Sequence, residues 1–315
     1  MSEIRRVLVV SRSRADEGLV ATGIACQQLI SHGLIPVIPL EEFNEAQAQH
    51  LRFSPQDQEH VFGIDIKGLE ILGRDCREDQ LELAIVLGGD GTILRAAEIV
   101  RASNTPLLGI NLGHVGFLAE GERHELSSLI TRVAARDYQV TERLALDVDV
   151  LVDGEKVYST WALNEATVEK SARERMLEVV LEVEGHPLSS FGCDGVVMAT
   201  PTGSTAYAFS AGGPVVWPSV EALLMVPLSA HALFSRPLVV NPDSMLAVEV
   251  LRRSAGSGVL WCDGRRTYEL APGSRVEVRR SEQPVRIIRL SDSPFTNRLV
   301  SKFALPVAGW RGPEA

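Results

Sequence analysis

No apolar run in the 315-residue chain approaches the ~18–20 residues that a membrane-spanning helix requires. Met1 to Arg6 lead directly into Val7-Leu8-Val9-Val10, a run of strand length without the longer apolar core and cleavage site of a secretory signal. The expected location is therefore the cytoplasm, with no membrane partner. Cysteine is scarce: Cys26, Cys76, Cys193 and Cys262 are widely spaced and form no C-x-x-C pair. This predicts reduced thiols and argues against a zinc site. An excess of positive charge is also missing, since 31 Lys and Arg stand against 41 Asp and Glu for a net charge of −10. Nucleic-acid affinity comes from neutralised phosphates, so nucleic acid is not an expected partner, nor is an anionic membrane surface. Only four of the 31 cationic residues are Lys, so the abundance of Arg reads as a compositional bias.

What remains describes a globular protein. A chain of this length favours two domains and buries roughly three quarters of its unfolded surface, enough to need no disulfide or metal. Over the first ~140 residues, short apolar runs alternate with helical patterns, as in βαβ units. Arg6–Val10 reads as a strand, 16–32 as a helix stopping at Gly33, and Leu34–Pro39 as a second strand. The polar stretch from Glu41 to Asp79 reads only as helix and loop. Leu81–Leu87 is almost continuously apolar, as a strand buried on both faces should be, and Ile93 to Val100 has helical spacing. Pro106–Ile110 is another strand. Beyond residue 143, alternation over Leu144–Val152, the turn pair Asp153-Gly154 and a strand over Lys156–Leu163 predict a hairpin. Further strands are predicted at Met176–Val183, Leu246–Leu251, Gly258–Cys262 and Arg275–Arg280. The expected fold is a Rossmann-like α/β domain over 1–143 followed by a β-rich, sandwich-like domain over 144–290. A tail over 291–315, loop and then a short apolar segment, is expected to pack back on the first domain.

Three segments carry potential chemistry. Gly88-Gly89-Asp90-Gly91-Thr92 joins a buried strand to a helix, where glycines admit close approach of an anion and the helix N-terminus favours it. It lacks the Lys-Ser/Thr of a P-loop and does not match G-x-G-x-x-G. A carboxylate in such a cradle repels phosphate unless it binds Mg²⁺ or accepts a hydroxyl's hydrogen bond; the plainer alternative is that Asp90 caps the helix. Asn164-Glu165 offers an amide and a carboxylate suited to sugar hydroxyls or a carboxamide, or else is a surface turn. Thr200 to Pro214, with Asp194-Gly195 before it, combines hydroxyls, small residues and two aromatics, as a planar ligand with polar edges requires; a structural turn is the alternative. Its Gly203-Ser204-Thr205-Ala206-Tyr207 does not match G-x-S-x-G. Arg95 lies one turn into the helix after the cradle, within reach of a phosphate there, and Arg173, Arg175, Arg265 and Arg266 are further cations that could equally be solvated. His114, in a glycine-flanked turn, reads as structural.

At these residues the chain resembles the bacterial NAD kinase family, in particular its actinobacterial branch. The resemblance runs through Gly88–Thr92, Asn111-Leu112-Gly113 with Gly116-Phe117-Leu118, Asn164-Glu165, Asp194-Gly195 and Thr200 to Pro214. It continues to Cys262-Asp263-Gly264 and Pro294-Phe295. The glycine turn alone is shared with diacylglycerol-type lipid kinases and, more loosely, phosphofructokinases; the Asn-Glu pair and the Thr-Pro-Thr-Gly-Ser-Thr-Ala-Tyr run are far more specific.

The resemblance implies phosphoryl transfer from ATP, or also inorganic polyphosphate, to the 2′-hydroxyl of the adenosine ribose of NAD. It implies Asp90 as the catalytic residue, with Asp90, Gly91 and Arg95 near the phosphates. Asn164 and Glu165 would bind the nucleoside parts, assisted by Asp194, Thr202, Thr205, Ala206, Tyr207, Ala208, Phe209 and Ser210. Arg175 would be another ligand contact. Mg²⁺ or another divalent ion would be held mainly by the donor phosphates, and the assembly would be a homodimer or homotetramer. Two positions depart from the pattern: Arg265 stands where the family commonly has Gln, and His114 where it often has Arg or Lys. Arg265 would then meet the dinucleotide as a cation. The alternatives are a lipid or sugar kinase sharing the glycine turn, and a non-catalytic dinucleotide sensor.

Overall fold

Near-continuous apolar runs make the central strands of the first structural unit. The structure, a computed structural model, describes residues 4–11, 16–50, 67–113, 116–172, 175–233, 235–290 and 294–307. Two compact units result: Met1–Glu142 with Val285–Ala315, and Arg143–Pro284. In the first, the chain runs β1 (Arg6–Ser11), α1 (Asp16–Ser31), β2 (Ile35–Pro39), α2 (Leu40–His50), β3 (Glu70–Leu72), β4 (Leu81–Leu87) and α3 (Asp90–Val100). It continues through β5 (Leu107–Asn111), β6 (Ala119–Glu122), α4 (Leu126–Ala134) and β7 (Gln139–Arg143). β1 pairs in parallel with both β2 and β4, and β4 with β5. The chain steps from β1 to β2 and β3 on one side, then resumes with β4 and β5 on the other. This reversal of strand order between β1 and β4 makes their carboxyl ends the expected ligand position in an open α/β sheet. Leu8, Leu83, Ile85, Leu87, Leu108 and Ile110 are fully buried, each worth roughly 1.5–3 kcal/mol of transfer free energy. A Cβ on Gly109 would come within 2.5 Å of Ile93 Cδ1, so glycine there is what lets α3 seat closely on β5.

The second unit is built of hairpins: β8 (Leu146–Val152), β9 (Glu155–Ala162), β10 (Glu165–Lys170), β11 (Leu177–Val183), β12 (His186–Cys193), β13 (Gly195–Ala199), the short helix α5 (Tyr207–Ser210) and β14 (Leu223–Leu228). Then follow β15 (Leu238–Val240), β16 (Leu246–Val250), β17 (Gly258–Cys262), β18 (Arg266–Leu270) and β19 (Ser274–Arg280). Asp153-Gly154, Glu184-Gly185 and Asp263-Gly264 each have two successive positive φ angles, the backbone of tight hairpin turns. Two six-stranded sheets result, ordered β15-β14-β13-β10-β17-β18 and β12-β11-β16-β19-β8-β9. Alternate residues such as Val148, Val168, Val179, Met198, Val248 and Val276 point into one shared core, which makes the unit a sandwich. The other face of β13 and β14 is also covered: Val197, Ala199, Leu224 and Val226 pack with Ala208 and Val216. The segment from 200 to 216 is thereby fastened flat on the outside of the sheet.

The chain then rejoins the first unit through β20 (Val285–Arg289) and α6 (Phe295–Phe303). β20 enters the first sheet beside β5, with Ile287 opposite Leu107. The β-rich unit therefore closes at residue 284 rather than 290, because Val285, Ile287 and Ile288 are buried in the α/β unit. The tail is helical where loop and a short apolar segment were expected. Phe295, Leu299 and Phe303 recur at i, i+4 and i+8 and so share one helix face. All four cysteines are free and buried. Burial pushes the thiols of Cys26, Cys193 and Cys262 up to about 12, which leaves them unreactive.

Candidate active site

Asp90 is the first residue of α3, directly beyond the carboxyl end of β4, and it is half-buried. The helix cap position belongs to Gly89, and no side chain caps the helix. The capping alternative for Asp90 therefore fails. Its carboxylate instead accepts two backbone hydrogen bonds from a distant loop, Phe117 N–H to Oδ2 at 3.0 Å and Leu118 N–H to Oδ1 at 3.1 Å. Gly116 makes this approach possible, since a Cβ there would overlap Asp90 Oδ1 and lie 3.0 Å from Cγ. The turn before the helix is equally tight: a Cβ on Gly88 would stand 2.5 Å from Thr92 Oγ1. Gly88 N–H donates to Ile110 O at 2.9 Å, which ties the turn to β5, while Gly91 has open space around it.

Arg95 points toward the carboxyl end of β1. Its Nη2 lies 3.0 Å from Glu42 Oε1 without a hydrogen-bonding angle, and its Nη1 donates to Ser11 O at 3.4 Å. Glu42, buried on α2, also accepts Ser11 N–H at 3.0 Å. Burial pushes the Glu42 carboxyl up to about 7, opposed by the Ser11 N–H and by Arg95. The cation is thus held at the reversal between β1 and β4 by an internal carboxylate.

In the second unit, Asn164 and Glu165 are both 7% exposed, so the surface-turn alternative is excluded. Asp263, in the tight β17–β18 turn, organises them. Its carboxylate accepts Leu163 N–H at 2.9 Å and Asn164 N–H at 2.7 Å, with a longer contact to Glu165 N–H at 3.4 Å. Arg266 Nη2 donates to Asp263 Oδ2 at 2.7 Å, and its guanidinium lies 4.4 Å from the Trp161 ring centroid. Arg266 is therefore a structural partner of Asp263 rather than a cation offered to phosphate. Burial, followed by repulsion from Asp263, pushes Glu165 up to about 8 against the weak opposing bond from Tyr207 N–H.

The segment after β13 packs against this pair. Thr200 Oγ1 donates to Leu163 O at 2.6 Å and Thr200 N–H to Asn164 O at 2.9 Å. A Cβ on Gly203 would overlap Asn164 O and lie 2.5 Å from its carbonyl carbon, so only glycine permits this contact. Ser204 is consumed internally, donating to Pro201 O and accepting Val216 N–H. Thr205 Oγ1 donates to Thr202 O at 3.2 Å. Ala206 breaks the backbone between a 3₁₀ turn and α5; Ala208 is fully buried, whereas Tyr207, Phe209 and Ser210 are exposed. The segment is part scaffold and part open surface.

Asp194 and Arg175 lie elsewhere. Along β10, Glu165 pairs with Ala199 and Glu169 with Gly195, so Asp194 sits beyond the opposite end, roughly 17 Å of strand away. Asp194 forms an ion pair with Lys170, whose hydrogen bond holds the acid below its ordinary value. Arg175 is exposed and donates to Ala255 O at 2.6 Å. Arg265 is exposed in the β17–β18 turn, on the Asn164 side. His114 and Arg173 lie outside the described residues.

Comparison with known proteins decides the family. The profile for the "ATP-NAD kinase N-terminal domain" matches residues 7–138 and that for the "ATP-NAD kinase C-terminal domain" matches residues 163–290. The chain belongs to the NAD kinase family. An NAD kinase of Leifsonia xyli subsp. xyli is 57% identical over 314 residues, 100% of this chain and 99% of that protein. NAD kinase 2 of Streptomyces coelicolor is 65% identical over 234 residues, 74% of this chain and 77% of that protein. Yeast NADH kinase, solved in complex with NADH, shares the fold with a TM-score of 0.79 at 22% identity, over 98% of this chain and 89% of that one. An Archaeoglobus fulgidus NAD kinase solved with ATP shares it at 0.67 and 22%, over 96% and 100%.

Within this NAD kinase fold, three groups escaped sequence reasoning. Glu42 lies in a polar stretch with no pattern to mark it. Asp263 was visible as part of Cys262-Asp263-Gly264, but not its grip on Leu163 and Asn164, which are about 100 residues away. Gly116-Phe117-Leu118 was visible as a motif without a chemical role, and a backbone N–H leaves no trace in side-chain identities.

Proposed function

We propose that the protein transfers the γ-phosphoryl group of ATP to the 2′-hydroxyl of the adenosine ribose of NAD, giving NADP and ADP. The observation that carries this reading is the placement of Asp90. A half-buried carboxylate stands at an anion-favouring helix N-terminus and is oriented by Phe117 and Leu118 rather than spent on capping. Such a group suits a hydroxyl nucleophile. With one N–H bond on each oxygen, it keeps lone pairs to accept the hydroxyl proton while its plane stays fixed.

A ribose hydroxyl is very weakly acidic, and a loose phosphoryl-transfer transition state asks for little prior activation. The 2′-oxygen bonds to the γ-phosphorus, the bond to the bridging oxygen breaks and ADP departs. Asp90 orients the hydroxyl, takes its proton late and passes it to water. The Gly88–Thr92 turn receives donor phosphates, with Arg95 supplying local positive charge. In the second unit, Asn164 and Glu165 recognise the nucleoside parts; Glu165 holds its proton at neutral pH and can both donate and accept. Thr202, Thr205, Tyr207, Phe209, Ser210 and Arg265 complete that surface. Asp194 and Arg175, at the other end of β10, serve a more distant part of the dinucleotide.

Among the described residues, no three His, Cys, Asp or Glu side chains cluster to hold a metal ion. A divalent ion would enter on the donor's phosphates, where it would offset their charge. Polyphosphate as a second donor and a dimeric or tetrameric assembly follow the family resemblance, and a cytoplasmic location follows the sequence's lack of long apolar runs; among the described residues no helix is long and apolar enough to cross a membrane. Replacing Asp90 by Asn tests the mechanism. NAD binding should persist while kcat falls by about 10²–10⁴; near-normal turnover would remove Asp90 from it.

A further inference from the structure

Three structural features converge on the loop that holds Asp90. Phe117 and Leu118 present consecutive N–H groups to the two carboxylate oxygens, which fixes rotation about the Asp90 Cβ–Cγ bond. The same residue Phe117 is gripped from behind by the last helix of the first unit. Arg298 Nη1, on α6, donates to Phe117 O at 2.7 Å, and the Phe117 ring centroid lies 5.9 Å from that of Phe295 and 5.7 Å from that of Phe303. Three residues further on, the fully buried carboxylate of Glu120 is paired with Arg298 and with Arg289 of β20, the latter at 2.9 Å. A buried carboxylate stripped of its guanidinium partners is strongly unfavourable, so α6 is held to this loop by more than apolar contact.

We propose that α6 is a positioning element for Asp90, acting through Arg298, Phe295 and Phe303 on the peptide N–H groups of Phe117 and Leu118. The proposal rests on Asp90 being the group that takes the acceptor's proton. Its physical basis is the narrow tolerance of transition-state geometry, in which a displacement of about 1 Å transmitted from a remote residue can cost 100-fold. Phe117 is the joint: its carbonyl and ring belong to the α6 contact, its N–H to the Asp90 contact. A loop released on one side would let the carboxylate rotate away from the hydroxyl without altering residues that bind either substrate.

The test is a double-mutant cycle on the full chain with Arg298→Ala and Asp90→Asn, reading kcat and both KM values with saturating ATP, Mg²⁺ and NAD. R298A should lower kcat about 10–100-fold with little change in KM for NAD or ATP. In the D90N background the same substitution should cost no more than about twofold, because there is no carboxylate left to position. Arg298→Lys, which can keep one of the two bonds, should recover part of the loss. Phe303→Ala removes the ring contact while leaving the arginine, and it enters the same cycle if R298A fails to fold. An unchanged kcat in the variants that fold, or an equal loss in both backgrounds, overturns the proposal. Near-normal kcat in D90N alone is a different result, which overturns the reading of Asp90 itself.

Discussion

Gly116→Ala is the smallest change that should disarm the site. The added methyl would overlap Asp90 Oδ1 and stand 3.0 Å from Cγ and 3.3 Å from Oδ2. Ordinary contact requires roughly 3.5 Å or more, so loop and carboxylate must part by roughly 1 Å. The hydrogen bonds from Phe117 and Leu118, 3.0 and 3.1 Å long, cannot both survive that shift. A bond to a charged acceptor contributes about 1.5–3 kcal/mol, and the lower end applies to these part-buried groups. Replacing Gly by Ala returns about 0.4–1 kcal/mol through the unfolded chain. The net cost should be about 1 kcal/mol in stability, read from the denaturant midpoint at unchanged slope. The effect on rate should be far larger, about 100-fold in kcat with KM for NAD and ATP nearly unchanged. A G116A enzyme with kcat within about twofold of its parent would refute the claim that this loop orients Asp90.

The raised carboxyl of Glu165 has a signed consequence for pH. Below about 4.5 it is neutral in both folded and unfolded chains; between 4.5 and about 8 only the unfolded chain ionises it, so this residue's contribution lowers stability as pH rises. Glu165→Gln should therefore gain on its parent from pH 5 to pH 8, by at most about 5 kcal/mol, and flatten any pH dependence of NAD affinity centred near 8. A pH-independent difference in urea midpoints would contradict the assignment. Asp263→Ala leaves the buried N–H groups of Leu163 and Asn164 without their acceptor and Arg266 without its carboxylate. It should cost about 3–5 kcal/mol in unfolding free energy and abolish NAD binding by calorimetry, whereas a loss below about 1 kcal/mol would show that Asp263 organises nothing.

Architecture was legible wherever hydrophobic period and turn chemistry agreed. β4 announced itself as a strand buried on both faces, and Asp153-Gly154 fixed the β8–β9 hairpin through two positive φ angles. The helix α6 was missed although Phe295, Leu299 and Phe303 carry its period, because nine residues beside a proline give a weak signal. The β-rich domain expected over 144–290 takes in the residues of β20, which pair with the first sheet instead: a strand's own residues say that it is buried, not which sheet it enters. At the site, chemistry and resemblance name the side chains proposed to meet ligands, but not the groups that hold those side chains. Glu42, Asp263 and the Phe117–Arg298 contact are defined by partners 31 to 181 positions away. Arg266 shows the converse, a cation proposed for phosphate that the fold spends on Asp263 and Trp161.

Phosphorylation of the adenosine ribose of NAD is the activity on which every role proposed for Asp90 depends. Its most direct test incubates the purified protein with ATP, Mg²⁺ and NAD and examines the product by ³¹P NMR and by an NADP-specific dehydrogenase. Stoichiometric ADP and a new 2′-phosphate monoester that the dehydrogenase accepts are the expected products. Tight NAD binding with no NADP from ATP or polyphosphate would contradict that activity in favour of a dinucleotide sensor, and phosphorylation of a lipid or free sugar instead would contradict it in favour of another kinase sharing the glycine turn.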